Sequence, residues 1–372
     1  MHPYPGLPIR EGGPPLQRPP RDATFLADGD ALIARSVATQ RPLLGTNAEA
    51  LAWTAGRHFL IAGGTGPGLG GAYVTALLAS GLPASVTVVS RDLRQSIGHA
   101  TGQLFGTLAE ASHRKLAFTW TNDGLALEGP DFDSLVATLR AAGARDIVYI
   151  NTVAAANSGI LPGLPDVYAK DIDDDELFQW KLPLLSEKQI EATAFVMGEL
   201  AVAFPRALAV AGIGVACEVY ADWRGSLDRE SRDPVSPAFA RQGAYSTSLY
   251  LPKDIIHEEV QRRYGAPGPR AIDIFFPVMN TRALPLIPGG RLMNELISAV
   301  LQRSGVRQKE VAELAVDALV VIGQALSDRW SNPFPRLDDY ELPLDLWVQE
   351  LQQRVAGDPA DPFYYRRWIG GG

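Results

Sequence analysis

The sequence is poor in three features that point to particular functions: cysteine, net positive charge and long apolar runs. One cysteine, Cys217, occurs among 372 residues, which excludes an internal disulfide and a thiolate metal cluster. The formal net charge is −8 and the arginines are scattered, so neither a nucleic-acid partner nor an anionic membrane is expected. The apolar stretches are shorter than the roughly 20 residues of a membrane span, and the N-terminus has no secretory pattern. We therefore expect a cytoplasmic globular protein.

Metal and hydrolase chemistry also lack their usual signatures. The five histidines are not spaced as metal ligands, so we expect no metal site. No G-x-S-x-G motif is present, which argues against hydrolases built on that nucleophile elbow. Cys217 stands inside an apolar run at 208–219, and we expect it to be a buried, unreactive thiol rather than a nucleophile.

From residue 57 onward, short apolar runs alternate with helical periods, which is typical of a parallel sheet covered on both faces. The predicted strands are 58–62, 85–90, 114–120, 146–151, 208–219 and 271–279. The predicted helices are 71–79, 95–111, 132–142, 186–200, 253–263, 291–302, 308–328 and 344–355. The pattern predicts an α/β fold, a Rossmann-like doubly wound parallel sheet with helices on both faces and an inserted substrate loop.

The chain divides into an N-terminal extension, 1–55, and a single Rossmann-type domain, 56–372. The extension is proline-rich at its start, and we expect it to lie against the domain with one helix near 48–54. Two insertions, 152–181 and 221–243, interrupt the domain, and long loops of this kind are often lids or binding loops. The first carries an acidic run and is also compatible with a plain solvated loop. The second follows the fifth strand, so it should lie where ligands bind.

A glycine-rich segment, AGGTGPGLG, connects the first strand to the first helix. Glycines in this place permit a tight turn and let the backbone approach a pyrophosphate at the positive end of the helix. The segment therefore predicts a nicotinamide dinucleotide site, although a glycine-rich connector in another fold is the alternative. The loop residues assigned to the cofactor are Gly64, Thr65, Gly68, Leu69 and Gly70.

Two later positions bear on the identity of the cofactor. Arg91 follows the second strand, where this fold selects the ribose, and a guanidinium can hold a 2′-phosphate. Arg91 thus favours NADPH, while the neighbouring Asp92 leaves NADH as the alternative. Asp123 follows the third strand and is a candidate for the adenine edge, with a generic turn as the competing interpretation.

A tyrosine and a lysine in one segment suggest the chemistry. Hydride transfer to a conjugated carbonyl places negative charge on its oxygen, which a phenol can stabilise, and a nearby lysine lowers the pKa of that phenol. The chain has only six lysines, and Lys253 stands eight positions after Tyr245 and three after Tyr250. Tyr220 ends the fifth predicted strand. We predict Tyr245, Lys253 and Tyr220 as catalytic residues, with Lys253 also binding the ribose.

The span from about 57 to 355 resembles the FabV-type trans-2-enoyl-thioester reductases, a divergent branch of the short-chain dehydrogenase/reductase superfamily. The resemblance rests on the order of AGGTGPGLG, LLSEKQIEATAFVMG, VMNTRALPLIPGGRLMNELISAVLQRSG and RLDDYELPLDLWVQEL. It implies reduction of the carbon–carbon double bond of an enoyl thioester on CoA or acyl carrier protein, with a nicotinamide cofactor. Residue by residue, it implies a catalytic pair Tyr245 and Lys253, a strand-end Tyr220, and cofactor contacts at Ala154, Val278 and Thr281.

The chain departs from the family pattern in four places, the first of which is its different N-terminal arm. The spacing is Tyr-x7-Lys where the family has Tyr-x8-Lys, the connection from Tyr220 to Tyr245 is longer, and Arg91 replaces an acidic residue. These departures indicate a specialised acyl or natural-product pathway. A carbonyl or imine reductase and a non-catalytic nucleotide-binding relative are the alternative functions. Both a monomer and a homodimer are compatible with the sequence.

Overall fold

A computed structural model of the 372-residue chain describes residues 29–63, 68–90, 97–111, 117–122, 127–153, 167–168, 179–180, 191, 193–223, 244–277, 279, 298–327 and 332–337. Within these residues, no helix is both long enough and apolar enough to cross a bilayer. The predicted helix 344–355 lies outside the described residues.

The centre of the fold is a six-stranded sheet in which every neighbouring pair is parallel. Its strands are β1 (His58–Ala62), β2 (Ser85–Ser90), β3 (Ala117–Asn122), β4 (Asp146–Asn151), β7 (Gly214–Trp223) and β8 (Arg270–Phe276). The spatial order is β3-β2-β1-β4-β7-β8. A separate antiparallel pair, β5 (Val167–Tyr168) and β6 (Gln179–Trp180), lies inside the insertion 152–181.

Helices cover both faces of the sheet. The helices are α1 (Gly29–Thr46), α2 (Ala48–Leu51), α3 (Leu69–Ser80), α4 (Ile97–Glu110), α5 (Pro130–Ala141), α6 (Leu200–Val210), α7 (Ala244–Arg263) and α8 (Val311–Ala325). A 3-10 turn (Ala52–Thr54) follows α2, a π-turn (Phe195–Glu199) precedes α6, and residues 298–303 are helical. One core contains residues of α1, α3, α4 and α8, and the other contains residues of α5, α6 and α7. This two-sided burial confirms the predicted doubly wound α/β fold.

Three predicted strands, β1, β2 and β4, have the expected bounds, and the fifth does not. The apolar run 208–219 was expected to be one strand, but its first residues end α6 and β7 begins only at Gly214. Gly212, at φ +80°, turns the chain between the two elements. Helix and strand are both buried here, so the sequence remains apolar across their boundary. The predicted insertion also begins too early, because β7 continues to Trp223.

The N-terminal segment is more helical than expected. Its main element is the 18-residue helix α1, whereas only a short helix near 48–54 was predicted. Gln40 is fully buried and its Nε2 donates to the Ala72 carbonyl at 2.8 Å and the Ala312 carbonyl at 3.1 Å. Trp53 donates from Nε1 to the Leu319 carbonyl at 3.0 Å. Weak amphipathic patterning hid α1 in the sequence, since its packing against α3 and α8 comes from tertiary structure.

The lone cysteine is buried as expected, and its reactivity is therefore predictable. Cys217 lies on β7 with no exposed surface, and burial raises the pKa of its thiol to about 12. A thiolate is the reactive form, so the folded protein should not react with a disulfide reagent on a timescale of minutes. We expect one thiol to react after addition of denaturant, measured by thiol colorimetry. Rapid reaction of the folded protein would contradict this expectation.

Candidate active site

The candidate site begins at the topological switch point of the sheet, between the carboxyl ends of β1 and β4. The chain leaves β1 toward β2 and β3 and then returns to β4 on the other side of β1, which opens a crevice between the two crossover directions. Gly63 follows β1 at φ +86°, and Thr152 follows β4. A Cβ on Gly63 would lie 3.1 Å from the Thr152 backbone, so only glycine allows the chains to pass this closely.

Hydrogen bonds hold this edge of the sheet in place. The Gly63 amide donates to the Val89 carbonyl at 2.8 Å, which ties the end of β1 to β2. Thr152 donates to the Ala62 carbonyl from both its amide and its Oγ1, each at 2.9 Å. These bonds fix the ends of β1, β2 and β4 relative to one another at the mouth of the crevice.

The first helix after the switch point has an open N-terminus. Gly68 is the N-cap of α3, it provides no capping side chain, and a Cβ there would meet nothing within 4 Å. Leu69 and Gly70 form the first buried turn behind it. The amide groups at such a helix start are available to a phosphate, and the helix dipole favours negative charge. Gly64 and Thr65, from the same predicted set, lie outside the described residues.

Other predicted cofactor residues are also outside the described part of the chain. These are Arg91, Asp123, Ala154, Val278 and Thr281. The strands that precede four of them are described, and β2, β3, β4 and β8 all end at the same edge as β1 because the sheet is parallel. Their assignment to the cofactor remains a prediction.

The structure places Tyr220 in the core, which differs from the expectation that it faces a substrate. Its side chain has no exposed surface, and its hydroxyl donates to Glu218 Oε2 at 2.9 Å. Glu218 also accepts a hydrogen bond from Arg263, and the Tyr149 ring packs edge-on against Tyr220. Burial, and next the charge of Glu218, raise the pKa of Tyr220 well above its ordinary value. Tyr220 is a core group in this structure, clustered with residues of α5, α6 and α7 on one face of the sheet.

Lys253 lies beside the end of β7. Its Nζ donates to the Ala221 carbonyl at 2.5 Å and lies 3.7 Å from Asp222 Oδ1. The lysine side chain is 15% exposed, so most of it is packed against protein. Of the predicted catalytic residues, Lys253 is the one whose side-chain contacts place it at the carboxyl edge of the sheet.

Helix α7 is longer than predicted and carries both candidate tyrosines. The sequence suggested a helix from 253 onward, but α7 begins at Ala244 and continues through Pro252. Tyr245 is thus about 12 Å along the helix axis from Lys253, whereas Tyr250 is three positions away, within one turn. In this geometry Tyr250 is the nearer of the two positions, which the expectation based on Tyr245 did not anticipate.

Two carboxyl groups adjoin Lys253, and the sequence reasoning missed both. Asp222 on β7 is 4% exposed and Asp273 on β8 is fully buried. In the β7–β8 register Asp273 pairs with Tyr220, so Asp222 and Asp273 share one face of the sheet as diagonal neighbours. The available signal was the presence of acids in two apolar strands, EVYADW and AIDIFF, because a buried charge is rare without a partner.

The turn that carries Lys253 packs against a third missed residue, Gly198. This glycine lies in the π-turn before α6, and a Cβ there would be 2.8 Å from Pro252 Cα and 2.9 Å from its carbonyl oxygen. Real Cβ atoms essentially never come this close to a backbone atom. Gly198 belongs to the segment LLSEKQIEATAFVMG, which was part of the family resemblance, so its sequence context was the signal.

The strand order and the glycine turn at the switch point define a Rossmann-type dinucleotide-binding fold. The chain is similar to a trans-2-enoyl-CoA reductase from Clostridium acetobutulicum, solved in complex with NADH, at 16% identity and a TM-score of 0.59. The match covers 95% of this chain and 92% of that one. A trans-2-enoyl-CoA reductase from Treponema denticola, solved with NAD, matches at 17% identity and a TM-score of 0.60. It covers 90% of this chain and 85% of that one.

No family model matches the chain, and no curated protein matches its sequence. At 16–17% identity the solved structures show the fold, and they confirm the fold expected from the resemblance. They also cover most of the chain, which extends the likeness from the sheet into the flanking helices.

Proposed function

We propose that this chain reduces the carbon–carbon double bond of a trans-2-enoyl thioester, on CoA or a carrier protein, with NADPH or NADH. The observation that carries the proposal is the placement of Lys253 at the carboxyl edge of the sheet that also holds the Gly63–Thr152 crevice. Ligands of open α/β sheets bind at this edge. The similarity to two enoyl-CoA reductases supports the choice of substrate class.

The described residues fit a nicotinamide dinucleotide. Gly63 admits close passage of the backbone at the switch point, and the α3 N-terminus behind Gly68 offers unblocked amide groups. Such an N-terminus suits a diphosphate, since both the amide donors and the helix dipole favour negative charge. When bound, the reduced nicotinamide supplies the hydride that the reaction needs. The preference for NADPH still rests on Arg91.

In the proposed reaction the chain's own residues position the cofactor ribose and stabilise charge. Lys253 binds the ribose hydroxyls with its ammonium group, which its contacts with Ala221 and Asp222 hold at the sheet edge. A phenol from the first half of α7, Tyr245 or Tyr250, donates a hydrogen bond to the thioester oxygen as negative charge builds there. The β-carbon receives the hydride, and the α-carbon then takes a proton from water.

Phenylalanine substitutions identify the phenol. Removing the acting hydroxyl should lower kcat with crotonyl-CoA by about 10²–10⁴, the usual contribution of a positioned acid or donor. Tyr245→Phe and Tyr250→Phe are compared by following oxidation of NADPH and of NADH. We expect one of the two to lose activity to this extent and the other to change by less than about threefold.

The substrate panel separates the alternatives. Tyrosine-dependent oxidation of NADPH with simple ketones but not with crotonyl-CoA would identify a carbonyl or imine reductase instead. Binding of both coenzymes without turnover of any acyl thioester would identify a non-catalytic nucleotide-binding protein. Retention of full activity in both tyrosine variants would contradict the proposed role of α7.

A further inference from the structure

Three other titratable side chains lie near Lys253, where β7, β8 and α7 come together. Lys253 and His257 come from α7, Asp222 from β7 and Asp273 from β8. The two carboxyl groups have almost no exposed surface, so the protein and not water must balance their charge. One ammonium group cannot neutralise two ionised carboxylates, which raises the question of where the second charge goes.

Contacts distinguish the two carboxyl groups. Asp222 Oδ1 lies 3.7 Å from the Lys253 ammonium, within ion-pair distance. No donor group bonds to either oxygen of Asp273 in the described part of the chain, and the hydrogen-bond contact of its carboxyl is with the carboxyl of Asp222, which requires a proton on one of the two. An ionised carboxylate buried without donors is very costly, whereas a protonated carboxyl is not. Asp222 is therefore suited to hold the charge and Asp273 to remain neutral.

We propose that Asp222 is a positioning residue for Lys253 and that Asp273, held protonated beside it, leaves the pair with a single negative charge. The Asp222 carboxylate and the Ala221 carbonyl, which both belong to β7, together hold the lysine ammonium at the end of that strand. A second ionised carboxylate at Asp273 would attract the ammonium away from that edge. The kinetic part of this inference rests on the proposed reductase function.

The electrostatics of the neighbouring groups agree with this assignment. Burial, and then the charge of Asp222, raise the pKa of Asp273 well above its ordinary value, and Lys253 opposes this without cancelling it. Burial lowers the pKa of His257, against the smaller effects of Asp222 and Glu258. A neutral His257 adds no charge to the cluster, and its ring stacks on Phe334 at 4.2 Å between centroids.

An aspartate-to-asparagine substitution, made once on β7 and once on β8, provides the kinetic test. Asp222→Asn should lower kcat/KM for the reduced coenzyme by about 10- to 100-fold, the range for removing the charged partner of a largely buried cation. The loss should fall mainly on the KM of the reduced coenzyme and less on kcat, because Lys253 is proposed to bind the ribose. Asp273→Asn replaces the neutral carboxyl with a neutral amide. Its decrease in kcat/KM should be at least about fivefold smaller than that of Asp222→Asn. Asp317→Asn, at the half-exposed ion pair with Lys309, serves as the matched control for the substitution.

Unfolding measurements test the pair without any turnover. Above about pH 4 the unfolded chain releases the Asp273 proton while the folded chain keeps it, so folding stability falls as pH rises through this window. Asparagine has no such proton. Urea unfolding measures the free energy of unfolding of both proteins between about pH 4 and about pH 8. Over this range the wild type should become less stable relative to Asp273→Asn.

The outcomes separate the two proposals. A wild type that turns over no acyl thioester contradicts the proposed function, while the unfolding comparison still decides the state of Asp273. A stability difference that does not change with pH overturns the neutral Asp273. Equal kinetic losses in Asp222→Asn and Asp273→Asn, or a loss in Asp222→Asn that falls on kcat alone, overturn the positioning role.

Discussion

Replacing Lys253 with methionine should lower kcat/KM with crotonyl-CoA by about 100-fold or more, the largest loss expected from any single change in this chain. In the proposed reaction the Lys253 ammonium binds the cofactor ribose and assists a nearby phenol. Methionine has a side chain of similar length but no charge. The rate of coenzyme oxidation, with substrate and coenzyme each varied, measures the loss. The coenzyme KM should rise as well, because ribose contacts are removed.

Two further variants control for stability. Lys253→Met leaves Asp222 buried without its cation, which costs about 3–5 kcal/mol in such sites, so its melting temperature must be measured alongside. Lys253→Arg keeps the charge but presents a planar fork, and it should restore stability more than activity. Lys309→Met removes a lysine from the half-exposed pair with Asp317 and should leave activity within about twofold. Wild-type activity in a folded Lys253→Met protein would contradict the proposed site.

Gly198→Ala should reduce both stability and activity, although it adds a single methyl group and replaces no predicted catalytic or cofactor residue. The new Cβ would stand 2.8 Å from Pro252 Cα, and a backbone atom cannot give way as a flexible side chain can. The π-turn and α7 must separate, at a cost of about 1–3 kcal/mol, typical of overpacking. Since Pro252 directly precedes Lys253, the shift also displaces the lysine from the end of β7.

The same substitution in an open helix is the matched control. Gly106 lies within α4, and a Cβ there would meet nothing within 4 Å. Gly106→Ala should raise stability by about 0.5–1 kcal/mol through the better helix propensity of alanine, with no change in kcat. Urea unfolding and steady-state kinetics on both variants make the comparison. If Gly198→Ala is as stable and active as wild type, the close contact does not position Lys253.

Strand prediction succeeded where each strand was bounded by a change in sequence pattern. β1 and β4 have the predicted bounds because turn residues flank their apolar runs. The fifth strand was misplaced because α6 and β7 are both buried and apolar, so that Gly212 and Gly214 are the marks of the boundary within the run 208–219. α1 was missed for the opposite reason, since its helical pattern is weak and packing stabilises it.

In the candidate site, too, some residues could be recognised from local sequence and others only from the tertiary structure. The glycine-rich connection and the rare lysine near two tyrosines are local signals that the sequence shows directly, while their roles stay predictions. Tyr220 was assigned to the substrate from its strand-end position, yet its hydroxyl is bound to Glu218 in the core. Asp222 and Asp273 are 51 positions apart in the sequence, and the β7–β8 register makes them neighbours.

The sequence by itself determined the α/β class, the glycine turn at the start of the domain and the presence of a lysine after the fifth strand, because local pattern and backbone chemistry encode them. Tertiary structure decided which side chains meet: that Lys253 binds the end of β7, that two carboxyl groups lie beside it, and that Tyr220 is buried. The physical reason is that register and helix packing set these distances, and both depend on contacts between residues remote in the chain.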